Sequence, residues 1–282
     1  MNDQTSRKYE RLRNLLVEME SVLVAFSGGV DSALLLRAAH DALGDRAVAA
    51  TGLSQTYAAE EMDEAKAVAT DIGAEYLVVQ TMELTDPRYA NNSHQRCFFC
   101  KSELYSRLQV VAKERGIRVV VDGANVDDGG DFRPGMRAAR ELGVRSPLAE
   151  AGLTKDEIRS ISAELGLRTW DKPAAACLSS RFAYGDPITV AKLKQVATAE
   201  TGIRRLGFRG FRVRHHDTVA RLEVPSDQMS EVLASGAEIL AAVKAAGYQY
   251  VALDLEGYRA GSQNEVLHAR LQPGGLRRAS AV

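Results

Sequence analysis

No apolar run in this 282-residue chain is long enough to cross a bilayer. The first twenty residues, MNDQTSRKYERLRNLLVEME, form a charged amphipathic pattern rather than an apolar leader. A membrane partner and a secretory signal are therefore not expected, and the expected location is cytoplasmic. Neither sign of charge is in excess: 36 Lys and Arg stand against 37 Asp and Glu, a net charge of -1. No global positive field argues for a nucleic acid partner, although a local patch is compatible with this balance. Cysteine is scarce. Cys97, Cys100 and Cys177 are too few, and odd in number, for a disulfide framework, which leaves free, catalytic or metal-binding roles. Tryptophan occurs once, as Trp170, where core packing is the expected role.

Apolar residues make up 45% of the chain, enough at this length for two domains. In the first half, SVLVAF, AVAATGL, AEYLVVQ and IRVVVDG are apolar without polar alternation, the pattern of strands buried on both faces of a parallel sheet. Between them, DSALLLRAAHDALG, AAEEMDEAKAVATDIG and FFCKSELYSRLQVVAKERG have helical spacing and a glycine stop. The expectation is an α/β doubly wound parallel sheet over residues 1–185, with its site at the carboxyl ends of the strands. Thr154 and Glu157 in LTKDEIRSISAELG have capping-box spacing and begin a further helix. Beyond residue 186 the pattern changes to a helix, the strand-like FRVRHH and VARLEV, a helix from about Ser226, and YQYVALDLEGY. This predicts a smaller C-terminal α/β domain over 186–270, with a disordered tail over 271–282.

The first strand runs into a helix through SGGVDS, residues 27–32. Such a turn gathers unpaired N–H groups and the positive end of a helix dipole, which makes an anion site. Gly28 and Gly29 let the backbone approach an anion, Ser27 and Ser32 add hydroxyl donors, and Asp31 can position a metal ion or a neighbouring loop. The alternative, a glycine turn that merely caps a helix, would not need the serines and the acid together. No Walker-type Gly-Lys-Ser follows, so chemistry at a γ-phosphate is not implied. After the fourth strand, VVVDGANVDDGGDFRPG carries Asp122, Gly123, Asn125, Asp127, Asp128 and Asp131, which suit Mg2+ or ribose contacts. Alone it would read as a polar turn; beside SGGVDS it reads as part of a nucleotide site. Thr51 and Ser54 end the second strand and are candidates for the same pocket.

SGGVDS resembles the pyrophosphate loop (PP-loop) of the ATP-pyrophosphatase superfamily, whose members split ATP between the α- and β-phosphates. Three further motifs narrow the match: DGANVDD at 122–128, DKPAAACLSSR at 171–181 and EGYRAGSQN at 256–264. Together they resemble the LarE family, sulfur transferases of nickel-pincer cofactor biosynthesis, over nearly the whole chain. The resemblance implies ATP-dependent adenylylation of a carboxylate on a nicotinate-derived pyridinium-3,5-biscarboxylic acid mononucleotide, followed by replacement of oxygen by sulfur. The logic is sound, because a carboxylate becomes an electrophile only when its oxygen leaves as part of a phosphate. Lys and Arg near the loop would stabilise the charge that builds there. The resemblance also implies a homo-oligomer, a hexamer among the forms it suggests.

Cys177 stands at the family's sulfur-donating position. In the better-known form this cysteine gives up its own sulfur. Here RCFFCK also places Cys97 and Cys100 in C-x-x-C spacing, which brings two thiolates within reach of one metal centre. With Cys177 as third ligand the set suits a 4Fe-4S cluster with one iron left open, the route that the resemblance implies for three-cysteine members. Structural zinc remains open, with His94, His215 or His216 as a fourth ligand, as do a redox pair and plain thiols.

In FRGFRVRHHDTVARLEV, Arg212 and Arg214 share a strand face by period two, which fits a phosphate clamp or an exposed charged strand. The resemblance assigns Arg212, Arg214 and Arg259 to substrate phosphate, and Glu200 and Glu223 to phosphate or metal contacts. Arg181, four residues after Cys177, is placed to lower a thiol pKa or to bind phosphate. Two rival readings stand beside this one. A tRNA thiolase of the same superfamily would share SGGVDS but calls for a basic face. A non-catalytic adenine-nucleotide sensor would have no use for the cysteines.

Overall fold

The computed structural model describes residues 2–54, 59–130, 134–173, 176–259 and 261–262. The four apolar runs form β1 (Val22–Ala25), β2 (Ala47–Leu53), β3 (Glu75–Gln80) and β4 (Val119–Val121). They lie in the order β3-β2-β1-β4, and every pairing is parallel. Parallel neighbours need a crossover, and helices provide it. α1 (Asp3–Met19) precedes the sheet, α2 (Val30–Leu43) follows β1, and α3 (Ala59–Ile72) follows β2. α4 (Pro87–Ala90) and α5 (Arg96–Glu114) lie between β3 and β4, and α6 (Pro134–Glu141), α7 (Pro147–Glu150) and α8 (Lys155–Glu164) come after it.

Successive strand residues serve opposite faces of this sheet, as the pleat requires. Val22, Val24, Ala47, Ala49 and Val121 pack in one apolar cluster with Leu12, Leu16, Leu34 and Ile158. Leu23, Val48, Ala50 and Val120 pack in another with Tyr105, Leu108 and Ala138. The chain leaves β1 towards β2 and β3, then returns to β4 on the other side of β1. That reversal creates a crevice at the carboxyl ends of β1 and β4, the expected ligand position in an open α/β sheet. One strand departs from its sequence reading. β3 is an edge strand with Glu75, Val78 and Gln80 exposed, because it has a neighbour on one side only.

The chain divides into two compact units. The first runs to Cys177 and takes in Pro187–Val190; the second comprises Leu178–Asp186 and the chain from Ala191 onward. In the second unit follow α9 (Val190–Arg205), β5 (Arg212–His216), β6 (Val219–Glu223), α10 (Met229–Ala234), α11 (Gly236–Ala245) and β7 (Tyr250–Leu253). β5 and β6 form an antiparallel hairpin and β7 joins β6 in parallel. Ile203, Phe211, Val213, Leu222, Ile239, Val243 and Tyr248 fill its core. Among the described residues no helix is long and apolar enough to cross a membrane. Asp131, the residues from 263 on, and the expected tail over 271–282 lie outside the described residues.

Candidate active site

β1 passes into α2 through a turn at 26–29, where the backbone of Gly28 takes φ 67. A Cβ at Gly28 would stand 2.8 Å from the Ala65 Cα on α3, so this position admits glycine alone. Gly29 caps α2 with no side-chain hydrogen bond, which leaves the first amides of the helix directed at the turn. The two serines brace the turn. Their hydroxyl oxygens lie 3.1 Å apart, Ser32 Oγ donates to the Gly29 carbonyl at 3.2 Å, and the Ser27 amide donates to Ser32 Oγ at 3.3 Å.

The segment after β4 meets this turn. Gly123 makes the approach possible, since a Cβ there would lie 3.1 Å from the Ser32 amide nitrogen and 3.3 Å from Asp31 Cβ. Asn125 Nδ2 donates to Asp31 Oδ1 at 3.1 Å, and Asn125 Oδ1 accepts from the Asp127 amide at 3.0 Å. Asp128 Oδ2 accepts from the Asn125 amide at 3.0 Å, and Asp127 Oδ2 from the Lys155 amide at 2.7 Å. The Lys155 ammonium pairs with the other oxygen of Asp31. The carboxylate expected to position a metal ion thus already faces a cation. Ser54 lies at the end of β2, half-buried. Thr51 is buried, and its hydroxyl donates to the Phe26 carbonyl at 2.7 Å, which makes it a brace between strand ends rather than a pocket wall.

Cys97 and Cys100 occupy the first turn of α5, where a spacing of three puts both on one helix face. Cys97 and Cys177 are exposed and Cys100 is half-buried. The charge of Cys177 acts on both helix cysteines. Crowding by protein, then the charge of Cys177, pushes the Cys97 thiol above its ordinary range. Burial does the same to Cys100, followed by the buried Glu83 carboxylate and by Cys177. Both shifts favour the thiol over the thiolate. Among the described residues, however, no group of three or more His, Cys, Asp or Glu stands at metal-ligand spacing. The histidines named as fourth zinc ligands do not complete a set. His94 is exposed, His215 Nδ1 bonds the Tyr248 hydroxyl at 3.0 Å, and His216 Nε2 accepts from Arg221 Nε at 3.2 Å.

A line of contacts connects the cysteine helix to the β4 segment. The Lys101 ammonium lies 5.3 Å from the Tyr105 ring centre, and the Tyr105 hydroxyl donates to Asp122 Oδ2 at 2.9 Å. Ser146 Oγ donates to Asp122 Oδ1 at 2.7 Å. Burial pushes the Tyr105 hydroxyl up to about 12, against the opposing pull of Lys101. The Tyr105 hydroxyl in turn holds the ammonium charged, despite burial.

In the second unit a cavity of roughly 310 Å3 is lined by Ser180, Arg181, Arg214, Arg221, Glu223 and Arg259 among others. Arg181 makes a two-pronged pair with Glu200, at 2.8 and 2.9 Å, with both partners buried. Glu200 Oε1 also accepts from the Val213 amide at 3.0 Å. Arg214 Nη2 lies 2.7 Å from Glu223 Oε2, and Arg221 Nη2 3.1 Å from Glu223 Oε1. Both glutamates, expected as phosphate or metal contacts, are here counter-charges to arginines. Arg259 pairs with Glu256 at the cavity edge. Arg212 shares the strand face of Arg214, yet its guanidinium sits 5.0 Å from the Tyr258 ring centre. Burial, then the charge of Arg181, lowers its pKa.

Sequence reasoning did not single out Lys155, Lys172, Tyr105, Ser146 or Glu83. Lys155 stands inside LTKDEIRSISAELG and Lys172 inside DKPAAACLSSR, five residues before Cys177, but neither motif names the group that its lysine meets. The Lys172 ammonium donates to the Gly28 carbonyl at 3.2 Å and lies 2.8 Å from Glu64.

The NAD synthase family model matches residues 8–114. An uncharacterized protein of Synechocystis is 48% identical over 262 residues, which cover 92% of this chain and 98% of that protein. The pyridinium-3,5-bisthiocarboxylic acid mononucleotide synthase of Lactiplantibacillus plantarum is 38% identical over 253 residues, 89% of this chain and 92% of the synthase. A tRNA-specific 2-thiouridylase of Rickettsia africae is 27% identical over 198 residues, 57% of this chain and 54% of the thiouridylase. With the glycine loop in place on the first unit, and likeness to the synthase running through both units, the chain belongs to the LarE family of ATP-using sulfur transferases.

Proposed function

We propose that this protein adenylylates the carboxylates of pyridinium-3,5-biscarboxylic acid mononucleotide and exchanges oxygen for sulfur, on the way to a nickel-pincer cofactor. The observation that carries the proposal is likeness over nine-tenths of the chain to a synthase named for that thiocarboxylate product. The Gly28–Gly29 turn and the open amides of α2 support ATP binding through its phosphates. Mg2+ would be held at Asp31, whose carboxylate already takes the Lys155 ammonium as a cation, and would shield the phosphates from the incoming carboxylate. In the first step a substrate carboxylate oxygen bonds to the α-phosphorus and pyrophosphate leaves. In the second a sulfur nucleophile bonds to the acyl carbon and AMP leaves with the oxygen. Two carboxylates require two rounds. The arginine-lined cavity of the second unit suits the substrate phosphate, with Arg181, Arg214 and Arg259 at its wall.

The sulfur comes either from Cys177 itself or from a sulfide bound to a cluster that Cys177 helps to hold. The donor chemistry of Cys97, Cys100 and Cys177 fits a 4Fe-4S cluster: three thiols, two of them three residues apart on α5 and the third on a separate segment. When bound, the cluster would supply an open iron able to carry the transferred sulfide, sparing Cys177. Ligation requires the three thiols to draw closer than they stand here. We include a homo-oligomer in the proposal, measured by light scattering.

Incubation with ATP, Mg2+ and the biscarboxylic mononucleotide tests the reading. The expected products are AMP, pyrophosphate and a mononucleotide in which sulfur has replaced oxygen, detected by mass. AMP release that depends on tRNA instead would favour the thiouridylase reading, and no AMP release at all would favour a nucleotide sensor. Intact mass after turnover distinguishes the sulfur sources: Cys177 loses its sulfur in one case, and iron and sulfide accompany an unchanged chain in the other.

A further inference from the structure

The ammonium of Lys172 stands at the glycine turn without a partner suited to hold it there. It donates to the Gly28 carbonyl at 3.2 Å and pairs with Glu64 on α3 at 2.8 Å. The Lys172 side chain is only 23% exposed, whereas that of Glu64 is 60% exposed. A carboxylate that open to water is a weak counter-ion, and such a pair contributes about 0–1 kcal/mol. A polyphosphate in the turn carries several negative charges and would be the stronger partner. Asp31, the acid of the turn, is engaged by Lys155 rather than Lys172.

We infer that Lys172 is a phosphate-binding residue for the part of ATP that leaves, and that Glu64 is its counter-ion before ATP binds. The inference rests on the ATP-using reading of that turn and deepens it. On binding, the ammonium exchanges Glu64 for a pyrophosphate oxygen, where it also offsets the charge that grows as the bond to the α-phosphorus breaks. Glu64 competes with the ligand for the same cation, so the two residues have opposite effects. Lys172 serves the polyphosphate, and AMP, which lacks the leaving phosphates, should be indifferent to it.

Titration calorimetry of the full chain with inorganic pyrophosphate and with AMP tests this. Lys172→Ala is expected to weaken pyrophosphate binding about tenfold or more, the scale of a lost charge-assisted hydrogen bond, and to leave AMP within about twofold. Lys172→Arg keeps the cation and should retain most of the affinity. Glu64→Gln should tighten pyrophosphate binding by about two- to fivefold, less so in high salt. Unchanged AMP affinity doubles as the check that Lys172→Ala is folded. Equal losses for AMP and pyrophosphate, or pyrophosphate affinity unaltered by Lys172→Ala, overturn the assignment of Lys172. Failure of the wild-type chain to bind pyrophosphate or ATP at all overturns the reading of the turn itself, and the inference with it.

Discussion

A methyl group added at Gly28 would press within 2.8 Å of Ala65 on α3 and would sit on a left-handed backbone at φ 67. The backbone alone costs about 1–2 kcal/mol for a residue with a Cβ, and the contact with α3 adds to it. Gly28→Ala should therefore lower the melting temperature and weaken ATP binding together, read by a thermal scan and by calorimetry. An alanine variant that binds ATP as the wild type does would mean that the turn does not cradle phosphate. Residues of this kind are legible beforehand because their chemistry is contiguous: glycines, hydroxyls and acid fall within six positions just after a strand. Lys155 and Lys172 are not, since the groups they touch lie 124 and 144 residues away. Thr51 misleads for a related reason. Its place at a strand end suggests a pocket, and its hydroxyl is taken by the Phe26 carbonyl where β1 enters the turn.

The second unit relies on one buried carboxylate to join three pieces of chain. Glu200 on α9 takes both prongs of Arg181, from the segment 178–186, and the amide of Val213 on β5. Removing one member of a buried ion pair leaves the other buried without its counter-charge, at a cost of about 3–5 kcal/mol. Glu200→Ala should lower the urea midpoint accordingly, and combining it with Arg181→Leu should recover part of the loss. A midpoint that does not move would mean that Glu200 is free for a ligand role after all. At this level the period-two placement of Arg212 and Arg214 was readable from the sequence. Which arginine faces the cavity and which lies over Tyr258 was not, because side-chain direction within one strand face depends on neighbours from other elements. β3 likewise reads as an interior strand, and its edge position follows from strand order rather than from its own residues.

For the molecule as a whole, two histidines of β5 set a pH dependence. Burial, and then Lys192, lowers the pKa of His215 from 6.5; burial, and then Arg221, does the same for His216. Asp186 and Asp217 oppose both shifts, and Glu223 opposes that of His216. Below pH 6.5 the unfolded chain binds protons at these sites that the folded chain refuses. Their contribution is thus complete above that pH and is lost as the pH falls through it. Urea midpoints should decline between about pH 7 and pH 5, and His215→Gln should flatten the decline. A slope unchanged by that substitution would assign the acid sensitivity to other groups.

Local pattern carried the class of fold and the glycine turn, because apolar periodicity and a strand–turn–helix junction are written within a few residues of each other. Close pairing of charges across the chain came from folding alone: Lys155 on Asp31, Lys172 on Glu64, Glu200 under Arg181. Such pairs form where distant segments exclude water from one another, and no short window of residues records which segments those will be.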